Sequence, residues 1–340
     1  MSGYIVTILS SVLLGFTVAI DKLMMGDFYN GSTRTPWFVS SVFGAILGLI
    51  ATFFGWIIFS NIDPSTLSLK LLPVKSWLGL MMVAAGLMAS LSIRSYFKCF
   101  GEQAVPTTVA IAITATPVLV FSLELFLSDT DWSLLHIVSV TVTILGLAGL
   151  EYFTENYEVP RWSILPQLLG VLVFGAVYVV LIDQTLPAIE NLLSIGTTEA
   201  ALIAMPYYWA GFSIGIVCIA TKEVREFLQS VWKQKEFIIL ILVLEILGMS
   251  FFFFEIFGLA ELNATLVSLI VGGNVILVWV LDQIIRQYYR HACAVDKKEV
   301  EICFFKIKTT DLKAYNKTNQ EIILQIIFIA LVLTGIVIWP

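Results

Sequence analysis

Charged residues are scarce in this chain of 340 residues: Asp, Glu, Lys and Arg together make up 13% of it, about half the share of a soluble domain. Histidine and cysteine are also few, with two and four copies and no C-x-x-C pair, which argues against a His/Cys metal site. No G-x-x-x-x-G-K-[ST] segment occurs, so the chain carries no P-loop of its own. What remains is apolar, with 59% hydrophobic residues and a mean hydropathy of +0.93. A chain with so little polar surface needs lipid as its solvent.

Ten apolar runs come near the length that a helix needs to cross hydrocarbon. They predict an all-α integral membrane protein, because barrel strands are shorter and alternate in polarity. The first run is too long for a signal peptide and no basic segment precedes it, so we expect it to be the first span. The runs lie at about 4–25, 36–60, 77–97, 104–127, 132–153, 162–182, 198–220, 237–258, 263–285 and 321–339.

The two halves of the chain align with each other. A shift of 157 positions places Gly101 on Gly258 within a block that needs no gap, and the last runs align at a shift of 189. The difference assigns the long polar connection of the second half to an insertion. Because five helices per half is an odd number, the second half must enter the membrane inverted, as in many secondary transporters. The predicted units are a five-helix repeat at 1–156 and a second at 157–340, with the insertion at about 287–319.

Several features of the halves point to one family. Pro117 lies inside an Ala/Thr-rich fourth run that follows a short turn, its counterpart ends in Gly272-Gly-Asn274, and the closing run places Gly335 ten positions after Gln325. In these features the chain resembles the drug/metabolite transporter superfamily, specifically its EamA-type ten-helix members. It departs from them in Asn274, which stands where a second proline is expected, and in the insertion. The resemblance implies transport of a metabolite, an amino acid, a drug or a nucleotide sugar.

Glu245 is the strongest candidate for chemistry, because it lies near the middle of the eighth run between Leu242-Val-Leu and Ile246-Leu-Gly. Ionisable groups at that depth are costly and usually functional. Burial favours the neutral carboxyl, which is then able to carry a proton during transport. A hydrogen-bonded structural glutamate is the alternative.

A polar solute site is expected where the fourth and ninth helices are interrupted. Proline removes a backbone hydrogen bond and paired glycines weaken a helix, which frees backbone polar groups beside side chains that bind solutes. Packing kinks are the alternative interpretation. The residues assigned to this substrate or ion site, together with Glu245, are Thr114, Thr116, Pro117, Gly272, Gly273 and Asn274.

Charges near the ends of spans form a second group. They are expected either to build a gate or vestibule, or to anchor the helices at the interface through local ion pairs. Asp21, Lys22, Arg94 and Lys98 fall at one membrane side, and Asp183 and Glu255 at the other. Two G-x-x-x-G segments, Gly44 to Gly48 and Gly211 to Gly215, predict a helix interface shared by the second and seventh spans.

The insertion, 286–320, holds eight of the nineteen Lys and Arg, and its stretch from Val300 onward is typical of a short β-hairpin. Counting by connection, seventeen basic residues fall on the odd-numbered side and two on the other, which places the odd-numbered connections in the cytosol and both termini outside. The family habit is the reverse.

These observations predict a secondary active transporter of a small polar or amphipathic metabolite that works by alternating access, with a proton as a coupling ion. A nucleotide-sugar or organophosphate antiporter and a non-transporting scaffold or receptor remain alternatives. The expected partners are a small-molecule solute and the lipid bilayer, with a homodimer left open and no nucleic acid. We expect no enzyme activity, no cofactor and no metal, and a location in the plasma (cell inner) membrane.

Overall fold

The computed structural model describes residues 3–27, 29, 32–59, 77–101, 106–127, 133–154, 161–231, 235–294, 299–302, 305–308 and 319–338. In these ranges the chain is almost wholly helical. The helices are α1 (Gly3–Asp27), α2 (Arg34–Phe59), α3 (Trp77–Gly101), α4 (Pro106–Thr114), α5 (Thr116–Leu127), α6 (Leu134–Thr154), α7 (Arg161–Leu193), α8 (Thr197–Phe212), a 3-10 helix (Ser213–Ala220), α9 (Lys222–Val231), α10 (Lys235–Glu261), α11 (Ala264–Gly272), α12 (Asn274–Ala294) and α13 (Asn319–Val337).

Within the described ranges, eight stretches are helical, long and apolar enough to cross a membrane. Large apolar side chains on their outer surfaces are exposed, as Trp162 and Phe126 are, which suits a helix that faces lipid. The prediction of an all-α, multi-pass membrane protein is therefore confirmed. The fifth and tenth predicted spans form α6 and α13, in which the described apolar stretches are Leu134–Gly146 and Glu321–Val337.

Two of the spans are broken near their centres. The helix that begins at Pro106 is interrupted at Ala115, and the helix that begins at Ala264 is interrupted at Gly273. At each break the chain closes a tight turn, with Val118 N–H donating to the Ala115 carbonyl and Ile276 N–H to that of Gly273 (3.1 Å each). Pro117 causes the first break because it has no N–H to donate, and glycine tolerates the second. The predicted irregularity of these two helices is confirmed.

The two breaks contact each other. Thr114 Oγ1 donates to the Gly272 carbonyl at 2.7 Å. Of the four segments, α5 packs mainly against α11 and α4 against α12. Because the segment before each break packs against the segment after the other break, the two broken helices run in opposite directions where they cross.

The remaining spans form close pairs. The helices α1 and α10 pack along each other, as do α3 and α7, while α2 packs against α8 and the 3-10 helix. Glycine brings α2 close to α8 and to the 3-10 helix: Gly48 lies against the Trp209 ring and Gly215 against Ser41. The predicted interface between the second and seventh spans is confirmed for these two glycines.

The other glycine of each G-x-x-x-G segment faces a different helix. Gly44 lies against Met249 of α10, and Gly211 lies against the Val83 backbone of α3. Residues four positions apart lie on the same helix face, one turn above the other, so the two glycines of each pair meet different neighbours at different heights along the helix.

A further helix pair and a β-hairpin complete the described structure. The helix α6 packs along α13, with Gly146 against the backbone of Val332. In the insertion, β1 (Glu299–Ile302) and β2 (Phe305–Lys308) pair antiparallel, with Glu299 opposite Lys308. The predicted hairpin is confirmed, and it contacts α1 and α12.

Candidate functional site

A cavity of about 110 Å³ lies in the middle of the helical bundle. Helices α1, α2, α3, α4, α5, α7, α10 and α11 contribute its wall, so the fourth and ninth spans border it beside their breaks. Most of the lining is apolar. The polar side chains in the wall are Thr17, Asp21, Ser40, Ser92, Tyr96, Thr116, Tyr178, Glu245, Glu255 and Ser268.

Two buried tyrosine–carboxyl pairs stand in this wall. The Tyr96 hydroxyl of α3 donates to Asp21 Oδ2 of α1 at 2.7 Å. The Tyr178 hydroxyl of α7 donates to Glu255 Oε2 of α10, also at 2.7 Å. Each pair joins two helices across the cavity wall, and each gives a buried carboxyl one hydrogen-bond donor.

Glu245 is buried, with 6% of its surface exposed, and it accepts a hydrogen bond of 2.9 Å from Ser40 Oγ. Asp21 is close enough to interact with it electrostatically. Tyr29, in the connection after α1, lies near both carboxyls. Burial raises the pKa of the Tyr29 phenol well above its usual range, so this neighbour stays neutral.

Contacts between α1 and α10 show where each carboxyl lies along the length of these two helices. The Gly3 amide donates to Glu261, Ser10 Oγ donates to the Phe251 carbonyl, and Thr17 lies beside Gly248. The helices therefore run antiparallel. Asp21 and Glu245 lie at one end of the cavity, and Glu255 lies towards the other.

The residues expected at the helix breaks separate into two groups. Thr116 lines the cavity. Thr114 and Gly272 form a hydrogen bond with each other. Asn274 donates from Nδ2 to the Val271 carbonyl at 2.8 Å, and its buried Oδ1 has no hydrogen-bond partner among the described residues. Pro117, Gly273, Thr114, Gly272 and Asn274 are not among the residues that line the cavity. Small residues at a helix crossing let the neighbouring helix approach, and that helix takes the space a solute would need.

The expected gate residues are also divided. Asp21 and Glu255 lie in the cavity wall, each six residues before the end of its helix. Arg94 is exposed and its guanidinium lies 4.9 Å from the Trp37 ring centre, a cation–π contact. Lys98 and Asp183 are partly exposed. The Lys22 side chain lies outside the described residues.

Sequence reasoning missed Tyr96, Tyr178, Ser40 and Ser268 in the wall. Tyrosine is common at membrane interfaces and serine at helix contacts, so none of the four stood out as a single residue.

Glu124 was missed as well. It is buried in α5 and accepts hydrogen bonds from the Thr265 hydroxyl and from the first backbone amides of α11. A carboxylate at a helix N-terminus is favoured by the helix dipole. This residue joins the two broken helices and is not part of the cavity wall.

Comparisons with known proteins support the fold alone. No family model matches the chain, and no curated protein matches it. A solved structure titled "Crystal structure of protein" superposes over 97% of this chain and 97% of its own, with a TM-score of 0.53 and 13% sequence identity. At that identity the likeness concerns architecture. Among the described residues, no cluster of three His, Cys, Asp or Glu side chains is arranged to hold a metal ion.

Proposed function

We propose that this protein is a secondary active transporter of a small polar or amphipathic metabolite, related to the drug/metabolite transporters that its sequence resembles. The observation that carries the proposal is the central cavity, which holds three buried carboxyls among apolar helices. Ionisable residues at that depth are expensive to bury, and in membrane proteins they mark solute and ion pathways. The plasma membrane is the proposed location.

The proposed architecture is ten spans in two inverted five-helix repeats, with α6 and α13 as the fifth and tenth spans. Two features support it. The first and eighth spans (α1 and α10) pack together, and so do the sixth and third (α7 and α3), which is the same contact with the halves exchanged. The fourth and ninth spans cross in opposite directions at their breaks. Inverted repeats supply two interchangeable states around one central site.

Proton coupling is proposed at Glu245. Of the described residues, those that face it are Ser40 from α2, Asp21 from α1 and the neutral Tyr29, and the described lining of the cavity includes no Lys, Arg or His. Without a basic partner, a buried carboxyl destabilises the protein least when it is protonated and neutral. It loses its proton when the cavity opens to water or when a cation enters, so the proton and the solute exchange at one place.

The rival functions fit less well. An organophosphate or nucleotide-sugar antiporter needs basic groups at its site, and the described lining offers carboxyls instead. A scaffold or receptor would act through the insertion that holds the β-hairpin. Replacing 295–318 with a Gly/Ser linker separates the two cases, because a carrier keeps its flux and a scaffold loses its function.

Reconstitution into proteoliposomes tests the proposal. Uptake of radiolabelled solutes is measured with and without an imposed pH gradient, against liposomes without protein. We expect solute-specific uptake that the gradient drives above equilibrium. The absence of flux for solutes that demonstrably bind the purified protein would contradict a transport function.

A further inference from the structure

The described wall of the central cavity holds ionisable groups of one sign. Three carboxyl residues, Asp21, Glu245 and Glu255, stand in it, and no Lys, Arg or His is among the described lining residues. Within this part of the wall, no cation balances the three carboxyls. A charge buried in an apolar bundle needs a partner of opposite sign or a proton. A cationic ligand is the chemical complement of this cavity.

The carboxyls form two groups at different positions along α10, and we call each group a station. Asp21 and Glu245 lie at one level, close enough to interact. Glu255 lies ten residues further along α10, which corresponds to a rise of about 15 Å between the two α-carbons of that helix. A small cation reaches one station. A ligand with cationic groups at both ends of an extended chain reaches both.

The wall between the stations suits a hydrocarbon chain with an additional polar contact. Leu14, Ile113 and Met249 contribute apolar surface to it. Ser268 is also in the wall, with 4% of its surface exposed, and its hydroxyl oxygen has no hydrogen-bond partner among the described residues. Buried hydroxyls are normally paired, so this one is available to a polar group of a ligand.

We propose that the cavity binds a linear aliphatic di- or polyamine, extended along α10. One terminal ammonium donates to Asp21 and Glu245, the other donates to Glu255, and the methylene chain lies on the apolar wall. Charge-assisted N–H to carboxylate bonds are among the stronger hydrogen bonds in proteins. This inference rests on the proposed function, because it names the solute class of the same site.

Binding to the purified protein in nanodiscs tests the proposal, by isothermal titration with spermidine, putrescine and butylamine. Spermidine carries propyl and butyl spacers between its amines, putrescine only the butyl spacer, and butylamine has a single amine. We expect affinity to fall in that order. Diacetylated spermidine, which has lost both terminal charges, should bind no better than butylamine.

Glu255→Gln removes one station. It should weaken spermidine binding roughly tenfold or more, the loss of one charge-assisted contact, and leave butylamine binding at the other station unchanged. Glu124→Gln is the matched control, since Glu124 is buried and lies outside the cavity wall. It should change neither affinity. If Glu255→Gln does not fold, the ranking of the three amines on the unmodified protein decides the question alone.

Equal affinity for spermidine and butylamine, or binding of none of them, overturns the proposal. So does a folded Glu255→Gln protein that binds spermidine normally. Proteoliposome flux separates this failure from failure of transport. If another solute is transported without amine binding, only the ligand class is wrong; if the amines bind and none crosses, the transport function is wrong and the ligand class stands.

Discussion

The central cavity and the α6–α13 interface are both buried between helices, yet they treat polar groups differently. Between α6 and α13, Ser139 Oγ donates to the Gly335 carbonyl at 2.5 Å and Thr143 Oγ1 donates to the Ser139 carbonyl at 2.9 Å. The hydroxyls of this interface are satisfied by backbone. The cavity instead retains three carboxyls and the unpartnered Ser268 hydroxyl.

The difference indicates that the cavity, and not the α6–α13 interface, is the functional region. Hydroxyls that bond to backbone carbonyls and glycines that admit a neighbouring helix are the ordinary means of joining helices in lipid. Carboxyls in the bundle interior are more costly than neutral side chains that could join the same helices, so those of the cavity indicate a role beyond packing. Substitutions in the cavity should therefore change transport, and substitutions between α6 and α13 should change stability.

The largest effect is expected from Glu245→Gln. Glutamine has similar shape and keeps a hydrogen bond with Ser40, but it does not titrate in the accessible range. Uptake driven by a pH gradient should be abolished in proteoliposomes, while the protein remains folded and Glu245→Asp keeps part of the activity.

Glu124→Gln is the control for that experiment, because it neutralises a buried carboxyl outside the cavity wall and should leave gradient-driven flux intact. Uphill transport at the normal rate by Glu245→Gln would end the proton-coupling proposal. Weaker amine binding by this variant is expected from the contact proposed between Glu245 and a terminal ammonium, so flux is compared at a saturating solute concentration.

Gly248→Phe should have the next largest effect. Gly248 lines the cavity, and the nearest atom to an added Cβ is Thr17 Cγ2 at 4.0 Å, so a side chain there points into free space. A phenyl ring is comparable in size to the cavity and should block solute binding, which is read by titration. Helix stability should not fall, because glycine is a poor helix former. Gly248→Ala is the matched control and should bind solute; normal binding by Gly248→Phe would place the solute elsewhere.

A smaller effect, on stability alone, is expected from Gly146→Leu between α6 and α13. An added Cβ would lie 2.8 Å from Val332 N and 2.9 Å from the Phe328 carbonyl oxygen. The two helices must move apart, at a cost of about 1–3 kcal/mol, as for other overpacked sites. Thermal unfolding in detergent measures the loss. Flux per folded molecule should equal that of the unmodified protein, and a selective loss of flux would show that this pair takes part in transport.

The smallest effect is expected from Ser139→Ala in the same interface. It removes one hydroxyl-to-carbonyl hydrogen bond to Gly335, and interhelical hydrogen bonds in membranes contribute about 0.6 kcal/mol on average. A small decrease in the unfolding midpoint with unchanged flux is the expected result. A decrease as large as that of Gly146→Leu would indicate that hydrogen bonding, and not close packing, holds α6 to α13.

Part of this architecture was predictable because it depends on local chemistry. Pro117 has no N–H wherever it stands in a helix, and paired glycines weaken a helix in any context, so the breaks at Ala115 and Gly273 followed from the residues themselves. The hairpin that begins at Glu299 followed from β-prone residues beside polar ones. Glu245 was identifiable from its depth within an apolar run.

The cavity residues were less predictable. Asp21 and Glu255 fall near the ends of apolar runs, and the sequence places them near the membrane surface. Their helices extend a few residues beyond those runs, to Asp27 and to Glu261, and only the packing of the bundle shows that both carboxyls line its cavity. Tyr96 and Tyr178 carried no signal as single residues, because tyrosine is common at membrane interfaces.

The sequence by itself determined the solvent of this protein, its helical content and the positions of its helix breaks, since each depends on composition or on neighbours along the chain. The tertiary structure alone decided which carboxyls share a cavity, which tyrosine pairs with which acid, and that Thr114 and Gly272 contact each other. The reason is geometric. A helix presents each residue to whichever neighbour its rotation selects, and that rotation is set by packing against helices distant in the chain.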